Sequence, residues 1–335
     1  MEISYDSKTR ALSPRYVQSL QYRLSIDELD SIEVRLTLPA DGDVAETKKL
    51  LPGTEFKLEI DDLKFEGDIV NLQFHQTVSG IEVTVYGLET LHRLRHQRLS
   101  EIKEQTLDKV VDSLLTAATV KDKKVGKVKP TAAEQVALDD DSVKLLKRLC
   151  VERNFALYWS KGKLEYGPRN VSPGGAAVKV DSSTLTSVEL ELDLSEVVTS
   201  VTLHGRDYRK AKEDLKFNAS GSKLKKISKG TPATTLRMQG FGKLEREIPW
   251  NLGLSTASAL EEAAVAELQA RAEKFARGRC VGEMNVSLHP LCLLELENLA
   301  WPLTGPFLVS SVSHRVEGNT HETTVEFFSD SLPKE

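Results

Sequence analysis

The chain has 335 residues and a mass of 37.2 kDa, with 45 basic and 50 acidic side chains and a formal net charge of −5. That length exceeds one ordinary domain, and 40% hydrophobic with 28% charged residues excludes collagen-like, disulfide-scaffold and wholly disordered chains. Apolar runs such as Leu291–Leu294 fall far short of the ~18 residues of a membrane span, and Met1–Asp6 carries no secretory signal pattern. Cys150, Cys280 and Cys292 are odd in number and widely spaced, which points to a reducing compartment and folding without disulfides. A pI near 5.9 argues against nucleic-acid binding by the whole surface.

The first ninety residues read as β. Tyr16–Leu24 alternates loosely. Ile32–Leu38 alternates cleanly, with Ile32, Val34, Leu36 and Leu38 on one face, and Phe56–Ile60 repeats the pattern. Phe65–His75 and Ile81–Gly87 read as a hairpin around Ser79-Gly80. Together these strands predict a small antiparallel barrel or sandwich.

At Leu88 the period changes. Leu88–Leu99 has helical spacing, and Thr106–Ala118 carries Leu107, Val110, Val111, Leu114 and Leu115 on one stripe. Lys121–Pro130 is a basic connector. A helix is predicted over Ser142–Arg153, with Asp140 or Asp141 as N-cap, followed by a hairpin of Phe155–Trp159 and Lys163–Tyr166 and a loop at Ser172-Pro173-Gly174-Gly175. Strands return at Val188–Leu194 and Val197–His204. Asp207–Gly230 holds eight basic residues against three acidic ones and reads as a mobile loop that could dock an acidic surface. Thr256–Arg277 reads as a long helix, with Ser255 as cap and Gly278 as stop. Gly282–His289, Leu293–Leu299, Phe307–His314 and Glu322–Phe328 read as strands. An internal echo links Ile69–His75 with Leu308–His314, the two histidines lying 239 residues apart, and fits two copies of one β unit.

The chemistry search returns nothing. His92 and His96 stand four apart, but three neighbouring arginines would repel a cation, so they read as a solvated basic face. His289 and His314 read as structural. There is no Gly-x-Ser-x-Gly and no Walker A motif, and Gly240-Phe241-Gly242 lacks the third glycine of a dinucleotide fingerprint. No carboxylate pair can be assigned to acid/base work. Trp159, Trp250 and Trp301 are scattered and read as core. No catalytic, cofactor-binding or metal-ligating residue is therefore expected, and no cofactor.

The order of segments carries a resemblance. Ile81–Gly87 runs into a basic helix and then Thr106–Thr116. Asp141-Ser142-Val143-Lys144-Leu145-Leu146-Lys147-Arg148-Leu149 precedes Asn154-Phe155-Ala156-Leu157-Tyr158-Trp159. A long Ala/Glu-rich helix leads to His289-Pro290 and then to Gly305-Pro306-Phe307-Leu308-Val309-Ser310-Ser311-Val312-Ser313-His314. This order resembles the phage late control gene D proteins and the N-terminal half of the VgrG spike proteins of type VI secretion. It spans Leu88–Phe328 by motif and Met1–Gly87 by position. A glycine-aspartate pair that often follows His-Pro in that family is replaced here by Leu291-Cys292-Leu293-Leu294.

The resemblance implies a β-rich α+β chain: two similar antiparallel β-barrels of tail-tube or hub type plus an α/β domain. The first barrel is expected at 1–90, and the α/β domain at 91–182 with a helical part at 231–281. A discontinuous second barrel is expected at 183–230 and 282–330, and a tail at 331–335. It implies a structural baseplate hub of a contractile tail or phage-tail-like injection system. As a homotrimeric ring the hub would adapt a six-fold tail tube to a three-fold spike. Implied partners are the tail tube protein, a separate central spike protein and baseplate wedge proteins. No membrane anchor and no sequence-specific nucleic-acid binding are expected. The chain is expected to be made in the bacterial cytoplasm and assembled into a tail particle. The alternatives are a modular β-barrel binding protein and a tail-associated peptidoglycan hydrolase.

Overall fold

A computed structural model describes residues 2–5, 10–12, 16–39, 50–60, 63–78, 80–96, 106–126, 142–160, 163–169, 176–206, 214–225, 227, 230–248 and 256–334. The fold is β-rich and mostly antiparallel, with an added α/β portion. The N-terminal strands are β1 (Glu2–Tyr5), β2 (Arg10–Leu12), β3 (Val17–Ser25), β4 (Ser31–Pro39), β5 (Glu55–Ile60), β6 (Leu63–Thr77) and β7 (Gly80–Glu89). A 3-10 turn at Thr90–His96 takes the place of the expected α-helix, and Leu91 and Leu94, three apart, bury its one apolar edge.

The α/β portion contains α1 (Leu107–Ala117), β8 (Lys123–Val125), α2 (Ser142–Arg153), β9 (Phe155–Ser160) and β10 (Lys163–Pro168). The predicted stripe Leu107, Val110, Val111, Leu114 and Leu115 is buried against Val143, Leu145, Leu146 and Leu149 of α2. Asp140 and Asp141 lie outside the described residues.

β11 (Val178–Asp181) and β12 (Leu185–Leu192) follow. β13 (Ser200–Arg206), β14 (Asp214–Ser220) and β16 (Glu245–Ile248) form a separate three-stranded sheet. That sheet packs on α4 (Ala257–Ala272), where Ala259, Ala263 and Ala264 let the helix approach Val201, Leu203 and Ala219 closely. β14 falls within the stretch expected to be a mobile loop. Its alternation of Leu215, Phe217 and Ala219 lies beneath a lysine-rich composition and is paired in register with β13. Between these elements, β15 (Thr231–Pro232) leads into α3 (Ala233–Phe241). Thr256, not Ser255, caps α4, its hydroxyl accepting from the Ala259 N–H at 3.2 Å; Ser255 is outside the described residues.

The last strands are β17 (Ala276–Glu283), β18 (Leu293–Glu297), β19 (Gly305–Glu317), β20 (Thr320–Ser329) and β21 (Ser331–Leu332). One sheet of 13 strands runs β12-β17-β20-β19-β3-β4-β7-β6-β5-β1-β2, with β18 off β19 and β11 off β18. The two halves are thus hydrogen-bonded through β19 and β3 into one surface. Among the described residues no ladder closes either half on itself. The first half nevertheless wraps its core. Tyr22 of β3 meets Phe65 of β6 edge-on at 5.6 Å, and its hydroxyl donates to the Lys64 carbonyl at 3.1 Å.

The two halves are duplicates in register. A bulge falls between Ile69 and Asn71 of β6, and another lies 240 residues later, between Val309 and Ser311 of β19. Bulges also fall between Val17 and Ser19 of β3 and, 168 residues later, between Leu185 and Ser187 of β12. In each half the bulge divides a long strand. Before it, β6 pairs with β5 and β19 with β18; after it, the edge of β19 turns to β3, and that of β6 has no neighbouring strand among the described residues. The offset of 240 corrects the echo seen in the sequence: His75 corresponds to Arg315, and His314 to Phe74.

Bulk is exchanged within one equivalent cross-strand pair. Ile32 opposes Gly87 in the first half, and Gly278 opposes Phe327 in the second. Gly278 is therefore a strand residue under an aromatic ring and not a helix stop; α4 has ended by Glu273. A Cβ at Gly278 would lie 2.4 Å from the Phe327 ring and 2.5 Å from the Glu189 carbonyl. Gly278→Ala is expected to destabilise the chain by about 1–3 kcal/mol through overpacking. Urea unfolding checks this.

Candidate assembly surface

The interior of the large sheet is spent on packing, so the informative surfaces are its edges. The joint between halves is antiparallel: Val312 opposes Leu24, His314 opposes Tyr22 and Val316 opposes Leu20. These side chains lie on the core face. Gln21 donates its Nε2–H to Ser313 Oγ at 3.1 Å on the other face.

The equivalent strands at the two ends of this arrangement have no such neighbour among the described residues. β6 from Asn71 to Gln76 is paired on one side, with β7, and β12 is paired on one side, with β17. Phe74 is 57% exposed, whereas its counterpart His314 is fully buried. Leu192 at the end of β12 is 41% exposed, and its counterpart Leu24 is buried. Neither stretch carries proline or lysine, the usual guards of a free edge. Val70 and Val78, which flank this stretch of β6, are exposed as well, whereas Leu51, Val151, Met238 and Phe241 of α3, and Trp301 are exposed elsewhere.

The residues singled out in the sequence are dispersed. His92 Nε2 is 2.7 Å from Asp68 Oδ2, and Arg93 forks onto the same carboxylate, with Nη2 at 2.6 Å from Oδ1 and Nε at 2.6 Å from Oδ2. His92 thus belongs to a hydrogen-bonded cluster around the Asp68–Arg93 ion pair. The His96 side chain is outside the described set. His289 Nδ1 lies 3.0 Å from the Pro290 carbonyl. Burial pushes His314 down to about 4, and its Nδ1 meets Thr323 Oγ1 at 3.0 Å. Gly242, at φ 77°, ends α3, which accounts for the Gly240-Phe241-Gly242 motif. The three cysteines are free thiols. Trp159 donates to Glu89, Trp301 is half-exposed rather than core, and Trp250 is outside the described residues. Among the described residues no three His, Cys, Asp or Glu gather as metal ligands.

Two polar joints that sequence reasoning missed tie the α/β portion to the sheet. In the first, Asp30 and Glu89 are both buried. Asp30 Oδ1 accepts from the Ser25 N–H at 3.0 Å. Glu89 Oε1 accepts from the Asp30 N–H at 3.3 Å, and its Oε2 from Trp159 Nε1–H at 2.6 Å. In the second, Arg169 reaches Asp27 at 2.6 Å and Glu273 at 3.3 Å and lies over the Phe328 ring at 5.2 Å. Only the long-range pairing of strands brings these groups together, so no local spacing announces them.

No family model and no curated protein sequence matches the chain. Solved structures do match, and the fold they share with it is that of phage tail proteins and of spike-associated components of type VI secretion. The chain is similar over 98% of its length to a 43 kDa tail protein of prophage MuSo2 from Shewanella oneidensis, covering 98% of that chain at 12% identity and a TM-score of 0.73. It is similar over 99% of its length to a tail protein from Neisseria meningitidis MC58, covering 97% of that chain at 11% identity and a TM-score of 0.73. An Escherichia coli component of the type VI secretion system, itself similar to T4 bacteriophage tail proteins gp27 and gp5, matches all of the chain and 79% of its own at 11% identity and a TM-score of 0.58.

Burial raises Glu89 from 4.5 to about 7, against the Trp159 bond that lowers it, and raises Glu273 to about 7 in the same way. Each folded-state value exceeds the unfolded one. Stability from each is therefore full below pH 4.5 and is lost as pH rises through about 7. Glu89→Gln is expected to reduce that fall, leaving the Glu273 part in place. Denaturant unfolding across this pH range checks it.

Proposed function

We propose that the chain is a structural component of a contractile tail or tail-like injection machine: a baseplate hub, built as a ring of three copies. The observation that supports this most is the in-register duplication, in which one chain carries two equivalent four-stranded units, β3-β4-β7-β6 and β12-β17-β20-β19. Three chains then offer six quasi-equivalent units. That is the symmetry match required between a six-fold tube and a three-fold spike. The likeness of fold to tail proteins over nearly the whole chain supports the same reading.

In this reading the tube protein sits on one rim, and a separate spike protein and wedge proteins complete the contacts. The α/β portion, about 91–177 with α3 and α4, lies outside the ring; β11 and β17, which fall within the expected bounds 91–182 and 231–281, belong to the large sheet. The units divide at about residues 90 and 183. Function lies in interfaces rather than in a pocket. The chain is made in a bacterial cytoplasm and carried into a particle.

One observation favours a wall-degrading enzyme instead, the close carboxylate pair Asp30–Glu89. Its oxygens bond inward to Ser25, Asp30 and Trp159, which fits bracing better than acid catalysis. Negative-stain electron microscopy of the purified chain, alone and with tube and spike partners, is expected to show three-fold rings with a central hole. Compact single particles under all of these conditions would overturn the hub. Cell-wall clearing lost in Glu89→Gln would establish the enzyme.

A further inference from the structure

The duplication specifies more than a count of units. Within the chain, the post-bulge half of β19 meets β3 along one fixed antiparallel register. By the offset of 240, the post-bulge half of β6 is the counterpart of that part of β19. By the offset of 168, β12 is the counterpart of β3. The chain therefore carries one joined copy of this joint and, on β6 and β12, the separate halves of a second copy.

We infer that β6 of one molecule adds antiparallel to β12 of a second copy of this chain, in the register of the internal joint. This rests on the ring reading and fixes how its copies meet. Carrying Leu24–Val312 and Tyr22–His314 over by the two offsets sets Leu72 opposite Leu192 and Phe74 opposite Leu190. On the other face, Gln73 is set opposite Glu191 and His75 opposite Glu189.

Three features fit that register. It brings the exposed Phe74 and Leu192 onto one shared apolar face with Leu72 and Leu190. It places both glutamates of β12 against an amide donor and an imidazole, not against another carboxylate or an apolar side chain. And a slip of one residue reverses every side chain, setting Phe74 against Glu189 or Glu191, so the register is strongly specified. Both edges also lack the lysines and prolines by which a strand meant to stay single protects itself. The occupant is a second copy because the chain itself already demonstrates the complementary surface: the partner that β6 lacks among the described residues is the counterpart of the one β19 has.

The test uses paired cysteines in the full-length chain, whose own thiols are buried or half-buried. Double variants at directly opposed positions are oxidised in the assembled protein: Leu72→Cys with Leu192→Cys, Phe74→Cys with Leu190→Cys, Gln73→Cys with Glu191→Cys, and His75→Cys with Glu189→Cys. A disulfide requires Cβ atoms about 3.5–4.5 Å apart, so it reads the register directly. One alternating set of these pairs is expected to join chains into closed oligomers on a denaturing gel. Pairs displaced by one residue, such as Phe74→Cys with Glu191→Cys, are expected to stay monomeric.

Amide exchange on the unmodified protein gives a second readout that no substitution can spoil. Amides within 71–76 and 187–192 are expected to slow together, about tenfold or more, on assembly. Linkage through the displaced pairs would overturn the register. A ring without linkage, or with unchanged exchange in either segment, would overturn this joint and leave the hub reading standing. The absence of any oligomer, with or without tail partners, would overturn both.

Discussion

The antiparallel ladder between Ser311–Glu317 and Ser19–Ser25 is the contact on which the architecture depends. Without it the chain would be two small curled sheets with four open edges. With it, two cores share one wall. The ladder is secured on both faces. Apolar side chains from the two halves interleave on the core side, and Gln21 bonds Ser313 on the other. Non-local pairing of this kind is entropically costly to form, so the burial that accompanies it must be extensive. His314, enclosed between Tyr22 and Thr323 and kept neutral by that burial, shows that the core side of the seam is closed to water.

The duplicated halves show which features of the unit are geometric and which are interchangeable. The bulges repeat, because they bend the long strands and end the pairing of one edge with its first neighbour. The side chains under the bend do not repeat. A glycine beneath an isoleucine in one half becomes a glycine beneath a phenylalanine in the other, with the small residue moved to the opposite strand. The pairing of a small with a large residue is kept while identity is lost, as expected where volume rather than sequence is the constraint. The α/β portion is fastened to this frame by buried polar groups. Such groups are costly unless fully bonded, and here backbone N–H groups, Trp159 and Arg169 meet the carboxylates.

Much of the fold was legible in the sequence, because it follows from periodicity. The alternation of Ile32–Leu38 and the stripe from Leu107 to Leu115 each correspond to a buried face. What escaped has identifiable causes. β14 was hidden because lysine content masks the alternation of Leu215, Phe217 and Ala219. The histidine echo was off by one, and in a strand one residue is the difference between inside and outside. His75 is accordingly exposed where His314 is buried. Thr90–His96 took a tighter turn because Leu91 and Leu94 fit a period of three as well as 3.6. The open edges were not readable at all. Whether a strand is central or peripheral depends on what lies beside it, and its neighbour here is encoded hundreds of residues away.

That separation has a consequence during synthesis. Gln21 and its partner Ser313 are 292 residues apart. At ~5–20 residues per second, the edge of β3 waits on the order of 15–60 s after leaving the ribosome before β19 exists to cover it. For most of that interval the same nascent chain already contains β6, the counterpart of β19, and so do its neighbours on a polysome. The first half therefore emerges with both a socket and a plug for that socket. The order of translation gives β6 of a neighbouring chain a head start over the correct partner. Correct joining then rests on the covalent tether, which raises the effective concentration of β19 once it appears. Slow or crowded synthesis works against that advantage.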